Sequence, residues 1–199
     1  MEAIGEEVKV RMQYYSVHSQ QKKIYTIHPY RLMYFRGGLY LFAFVEEYKQ
    51  IRTFAIERIE SIEKTRDDFE KPADFSVETY LESAFGVVKE EPFDVEIVFN
   101  SDIAEYVRSR VWHPSQQVRE IGGGRITMKM HVGGEFELGS WILSFGSSAR
   151  VISPERLRRR VEAEMARALD NYRKEVTVAA RKAKKLESKK ALAAAGRRG

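Results

Sequence analysis

Leu32-Met-Tyr-Phe-Arg-Gly-Gly-Leu-Tyr-Leu-Phe-Ala-Phe-Val45 decides the fold of the first half of this chain. Two apolar and aromatic runs flank Gly37-Gly38, a two-residue signal for a tight β-hairpin. Leu39 to Val45 is the most apolar strand of the sequence. Working outward, Ile24-Tyr-Thr-Ile27 is β-branched and aromatic and is followed by Pro29, so it reads as a separate short strand. Before it, Val8-Lys-Val-Arg-Met-Gln-Tyr14 alternates apolar and polar residues, as a half-buried strand does. After it, the charged turn Glu46–Gln50 leads to Ile51–Ile56, and Ile59–Lys64 follows. Five or six short strands in the first 66 residues predict a small closed β-barrel, which hides its own edges.

Residues 67–91 read as a linker, rich in Asp, Glu and Pro over 66–74, with a short helix over Phe75–Phe85 capped by Ser76 and ended by Gly86. Beyond Pro92, Phe93-Asp-Val-Glu-Ile-Val-Phe99 alternates strictly. A helix capped by Asn100 or Ser101 follows, with Ile103, Tyr106, Val107 and Val111 spaced for one face. Strands at Gln117–Ile121 and Arg125–Val132 flank Gly122-Gly-Gly124; a helix spans Glu135–Phe145 and a strand Ala149–Ile152. Ser153 as N-cap and Pro154 at the first helical position open a long helix to about Tyr172. The order β-α-β-β-α-β over residues 92–172 predicts a ferredoxin-like unit, so the whole is an α+β chain. Residues 173–199 form a basic tail dense in Ala, Lys and Arg, expected to extend the helix or to stay disordered.

Composition removes several function classes. The 199 residues contain no cysteine, which excludes thiol catalysis, thiolate zinc sites and disulfide scaffolds. Four histidines (His18, His28, His113, His131) give little material for a metal site, and no metal or cofactor motif is present. No run of about 18 apolar residues and no leader pattern appears, so a cytoplasmic protein away from membranes is expected. The net charge of +5 is unevenly divided: residues 1–66 carry +3, residues 67–172 carry −6, and residues 173–199 carry +8. A body that is acidic without its tail does not fit a whole-surface nucleic-acid footprint. Ser16 near His18 lacks a placed third group, and there is no nucleophile elbow, so no catalytic residue is assigned.

The candidate ligand residues lie in the first unit. Arg52 and Phe54 are two apart and share one face of a strand, and Arg58 follows at its end. A guanidinium offers a planar fork of donors to phosphate and stacks on bases, and an aromatic between two arginines suits a single-stranded ligand. Spacing alone fits a plainer account better: Arg52 pairing with Glu46 or Glu47, and Arg58 with Glu60 or Glu63, on the surface. His28 is held extended by Pro29 and either donates to a phosphate or ends a strand. Tyr15, Ser16 and Tyr40 offer stacking and hydroxyl contacts, or pack the barrel.

An ordered set of motifs tips this balance. Tyr14-Tyr-Ser16, His28-Pro-Tyr-Arg-Leu32, Gly38-Leu-Tyr-Leu41, Arg52-Thr-Phe54 and Arg58-Ile59 together resemble the WYL domain of bacterial transcriptional regulators. Trp112-His-Pro-Ser-Gln116, Trp141-Ile-Leu-Ser-Phe-Gly146 and Val151-Ile-Ser-Pro154 resemble the extension that follows such domains, so the resemblance covers about residues 8–172. The tryptophan of the family's name is Leu39 here, and an arginine frequent four residues before the proline is Tyr25. The resemblance implies an Sm-like, SH3-type barrel binding a single-stranded nucleic acid or nucleotide through Tyr15, Ser16, His28, Tyr40, Arg52, Phe54 and Arg58. It also implies a dimerising extension, hence a homodimer, with Trp112, Trp141 and Phe145 as core or interface aromatics. Regulators of this family carry an N-terminal helix-turn-helix, which residues 1–7 cannot hold, so DNA would be reached through a reader outside this sequence. The expected function is a ligand-sensing, non-enzymatic regulatory module; the alternatives are a protein–protein interaction module without a ligand and, ranked lowest, an enzyme acting on nucleotides. If residues 173–199 are a solvated appendage, their deletion leaves the melting temperature nearly unchanged and lowers nonspecific DNA binding, which calorimetry and a salt titration would measure.

Overall fold

Alternation in Val8–Ser16 buries Val10, Met12 and Tyr14 on one face, and this strand, β1, lies between β2 and β5 in the first sheet. The computed structural model describes residues 1–17 and 19–174; the remainder of the basic tail lies outside them. A short helix α1 (Glu2–Gly5) precedes β1 and packs Ala3 and Ile4 against the first core. β2 (Gln21–Phe35), β3 (Gly38–Val45), β4 (Gln50–Ala55) and β5 (Ile59–Asp68) follow, the last after a turn of 3-10 helix at Ile56–Arg58. All pairings are antiparallel, in the order β4-β3-β2-β1-β5. Among the described residues no pairing joins β4 to β5, so the sheet is open where a closed barrel was expected.

Two expected strands, 24–27 and 32–35, are one. Pro29 does not break β2, because the register shifts between Pro29 and Arg31 and the strand passes the proline at this irregularity. The hairpin turn falls one residue earlier than predicted, at Arg36-Gly37, both with positive φ (45° and 88°) as a type I′ turn requires. Gly38 is instead the first residue of β3, opposite Phe35. A Cβ there would lie 2.9 Å from Cε2 of Tyr40.

The segment expected to link two units is a structural strap. β5 runs on to Asp68, and the next residues cross the second face of the sheet. Phe69 stacks on His28 with ring centroids 5.0 Å apart, Phe75 packs on Tyr30 and Tyr80 on Phe42. Val10, Met12, Ile27, Leu41, Ala43 and Val45 fill the other face. The predicted helix over 75–85 shrinks to α2 (Val77–Tyr80), although Ser76 does cap it, accepting from the Thr79 amide. Beyond it the backbone serves tertiary bonds: the Gly133 amide donates to the Ser83 carbonyl and the Phe85 amide to the Gly133 carbonyl. Two bonds tie the strap to edge strand β4, from Thr53 Oγ1 to the Val87 carbonyl (2.7 Å) and from Tyr80 Oη to the Ile51 carbonyl (2.8 Å).

β6 (Phe93–Phe99), α3 (Ala104–Arg108), β7 (Gln117–Glu120), β8 (Ile126–Val132), α4 (Glu135–Leu143) and β9 (Ala149–Ser153) build the second half, with a turn of 3-10 helix at Gly146–Ser148. The sheet is antiparallel in the order β7-β8-β6-β9. Residues 155–174 are the helix α5. The chain is thus a mixed α+β protein with two antiparallel sheets. α3 starts later than predicted, after Ile103 rather than Asn100 or Ser101. Trp112, Trp141 and Phe145 pack on one another with centroids 5.0–6.1 Å apart, against the second core, where Trp141 is 7% exposed. Trp141 is thus a core residue, whereas Trp112 and Phe145 are partly buried at the edge of this core.

The strap meets this second half at α4. Glu137 accepts from the amides of Val87 (3.1 Å) and Val88 (3.3 Å). Gly86 leaves the room, since a Cβ there would sit 2.0 Å from Glu137 Oε1. Glu137→Ala is expected to lower stability by about 1–3 kcal/mol, because the buried Val87 amide loses its acceptor. Gly86→Ala is expected to destabilise through the same contact, so the double variant costs less than the sum of the two; urea denaturation of all three proteins measures this.

Candidate ligand site

Six of the seven candidate residues lie in strands of the first sheet and are divided between its two faces, and the seventh, Arg58, lies in the turn before β5. Arg52 and Phe54 share the inner face, with Tyr14, Tyr25, Leu41 and Ala43. The sharing is as predicted, but depth separates them. Phe54 is 3% exposed and packs between Tyr14 (5.0 Å) and Tyr25 (5.6 Å), so it is a core residue with no surface to offer a ligand. Arg52, two residues nearer the start of the strand, lies over the ring of Tyr48, its Cζ 3.6 Å from the centroid. Tyr48 in turn packs on Tyr25 at 6.0 Å. The inner face therefore ends in a cation held on an exposed aromatic, backed by buried rings.

The ion pairs expected as the plainer account for Arg52 do not form. Glu46 binds Lys9 Nζ and His28 Nε2, each at 2.8 Å, and Glu47 accepts from the Thr26 amide. The Gln50 amide, with its oxygen turned to the guanidinium, accepts from Arg52 Nη2 and Nε at 2.7 and 2.8 Å. Arg58 sits in the 3-10 turn at the start of β5 and is exposed. Glu60, one of its expected partners, pairs with Lys22 instead.

His28 belongs to the other face. Its ring lies against Phe44 and Phe69 and its Nε2 meets Glu46. Tyr40 alternates onto this face too, opposite Met33 and Ala55. Tyr15 and Ser16 close β1 opposite Lys22 and Gln21, Tyr15 exposed and the Ser16 hydroxyl accepting from the Ser19 amide. The sheet therefore does not gather all seven into one groove.

Electrostatics sharpen the division. The Lys9 ammonium and then His28 hold the Glu46 carboxyl below its ordinary range, and Glu46 raises Lys9 in return. Burial pushes the Tyr25 and Tyr80 hydroxyls up, while the Arg52 guanidinium acts on both in the opposite sense. Arg52 is thus felt on both sides of β4. On the strap side, a cleft of about 690 Å³ is lined by Arg52, Thr53, Tyr80, Lys89 and Glu91, among others. Tyr48, Tyr80 and Lys89 were missed in the sequence; Tyr48 lay in a segment read only as a charged turn, and the other two in an assumed linker.

Among the described residues no group of three or more His, Asp or Glu is placed to hold a metal ion. No described helix is long and apolar enough to cross a membrane.

An antiparallel sheet followed by a strap and a second α+β unit defines a two-part chain, and its parts have known relatives. Residues 1–64 match the WYL domain and residues 91–169 the WCX domain. The chain therefore carries a WYL domain followed by a WCX domain. It is 25% identical over 175 residues to Protein PafC of Mycobacterium tuberculosis, in the CDC 1551 / Oshkosh and ATCC 25618 / H37Rv strains, covering 85% of this chain and 52% of each relative. The chain thus spans about half the length of the curated relatives it matches. Among solved structures, a CRISPR Cas-related protein superposes with a TM-score of 0.57 at 14% identity, over 88% of this chain and 50% of the other. Proteasome accessory factor B/C (PafBC) of Arthrobacter aurescens aligns at 20% identity over 86% of this chain and 26% of its own, with a TM-score of 0.38.

The Glu46 cluster makes a pH prediction. A carboxyl whose folded pKa is depressed contributes stability above its unfolded value, near 4.5, and loses it as the pH falls through the folded value. The stability difference between the parent and Glu46→Gln should therefore be full at about pH 6 and shrink toward about pH 3, as urea titrations across that range would measure.

Proposed function

We propose that this chain is the ligand-sensing part of a transcription regulator, and that its first sheet takes a single-stranded nucleic acid or nucleotide at the Arg52–Tyr48 surface. The observation that carries this is the guanidinium lying 3.6 Å over an exposed tyrosine. Such a pair offers phosphate a forked donor and offers a base a stacking edge, without sequence preference. The WYL match over residues 1–64 and the likeness to Protein PafC support the regulatory role. Arg58 and Ser16 are exposed or half-buried at neighbouring strand ends, and complete the surface in this reading; Tyr15 adds an exposed ring. His28, on the second face, holds the sheet to the strap through Phe69, Tyr40 lies on that face too, and Phe54 supports Tyr25 from below.

The strand order β4-β3-β2-β1-β5 supports an Sm-like reading of the first sheet, and β7-β8-β6-β9 with the order β-α-β-β-α-β supports a ferredoxin-like reading of the second. The regulator so proposed is a cytoplasmic, non-enzymatic homodimer that reaches DNA through a reader on a segment or chain outside this sequence. Trp112 and Phe145, partly buried beside the buried Trp141, are the aromatics left to serve its dimer face.

Arg52→Ala is expected to weaken binding by about 1.5–3 kcal/mol, the value of a charged hydrogen bond, with little change in melting temperature. Arg58→Ala should behave alike. Titration with single-stranded DNA, RNA and cyclic nucleotides checks this; two variants that bind all three as the parent does would place the ligand elsewhere.

A further inference from the structure

Two cation–aromatic pairs stand on opposite sides of one edge strand. Arg52 lies over Tyr48 at 3.6 Å on the sheet side of β4. Lys89 lies over Tyr80 at 4.7 Å on the strap side. Between them is the cleft of about 690 Å³ whose walls include Arg52, Thr53, Tyr80 and Lys89, a volume in the range of ordinary ligand sites. The strap is not loosely placed there. Tyr80 donates to the Ile51 carbonyl, and Thr53 to the Val87 carbonyl, so the second pair is fixed to β4 by bonds on either side of Arg52. Lys89 is exposed, and its neighbour Glu90 is occupied, accepting from the Glu135 amide at the start of α4.

We infer that the ligand surface continues from Arg52 across the β4 edge into this cleft, where Lys89 and Tyr80 receive a second segment of a single-stranded oligonucleotide. This rests on the reading of Arg52 given above and adds the strap to it. The chemistry selects the class of ligand. Arg52 and Lys89 bring two positive charges to the cleft, and Glu90 and Glu91 bring two negative ones. A nucleoside triphosphate concentrates its charge and meets no excess of cations here. A phosphodiester chain spreads one charge per linkage, so one linkage meets Arg52 and a later one meets Lys89, while Glu91 accepts from base amino groups. Two separated cation–aromatic stations also call for a ligand longer than one nucleotide. This arrangement is the ordinary logic of single-strand binding, a track of cations interleaved with rings.

The test is fluorescence anisotropy on the full chain with labelled mononucleotide, dinucleotide and hexanucleotide, each as DNA and as RNA, across a salt series. The parent should bind the hexanucleotide more tightly than the dinucleotide. Lys89→Ala should weaken the hexanucleotide about tenfold and lower its salt slope by about 0.7, the value for one phosphate contact on a single strand, while leaving the dinucleotide unchanged. Lys89→Arg should restore both quantities. Arg52→Ala should weaken both oligonucleotides. Sensitivity to Arg52→Ala with none to Lys89→Ala overturns the strap site and leaves the Arg52 reading standing. Insensitivity to Arg52→Ala, or no binding of any oligonucleotide, overturns both. The DNA and RNA arms tell which sugar the cleft accepts.

Discussion

One carboxylate sets how the two halves of this protein meet. Glu137, in the first turn of α4, takes the amides of Val87 and Val88, of which the first, in a buried residue, would otherwise lack a partner at the tightest point of the strap. The contact demands a residue without a side chain at Gly86. From there the strap runs back over the first sheet, laying Tyr80, Phe75 and Phe69 against Phe42, Tyr30 and His28. Without that cover one face of the sheet would carry an aromatic surface open to water. The hairpin tip joins the same junction, where Arg36 lies over Phe85 at 5.5 Å. The strap's position against the sheet is also what brings Lys89 opposite Arg52.

Edge strands explain why the first sheet needs no closure. β5 is studded with Glu60, Glu63, Lys64, Arg66, Asp67 and Asp68, charges that discourage pairing with another chain. β4 is covered by the strap, which occupies the Ile51 carbonyl and the Thr53 hydroxyl. A closed barrel was predicted because many short strands need some way to hide their edges, and charge and a covering segment serve the same end.

Local patterns were legible where local physics decides. Phe93–Phe99 alternates because one face lies on a core and the other on water, and its limits were read to the residue. Glu135 and Ala149 likewise begin elements where the sequence placed them. The strap was opaque because its aromatics are isolated among Asp, Glu and Pro, and their ring partners lie 38 to 45 residues earlier in the chain. The one-turn helix at Val77–Tyr80 fell short because backbone groups that would have continued it bond to Gly133 instead. At the site, face was readable and depth was not. Arg52 and Phe54 share a side of β4, yet one sits at the rim and the other within the core, and only the three-dimensional course of the strand separates them.

The strap also separates two kinds of boundary. As a unit of descent, the WYL domain ends at residue 64. As a unit of folding it does not, because β5 continues to Asp68 and the rings that seal its second face come later still. A module can be passed between proteins by its recognisable sequence while depending for its solubility on the segment C-terminal to it. For this chain, shuffling the sheet to a new neighbour means carrying the strap along, or finding another segment with aromatics at the same places.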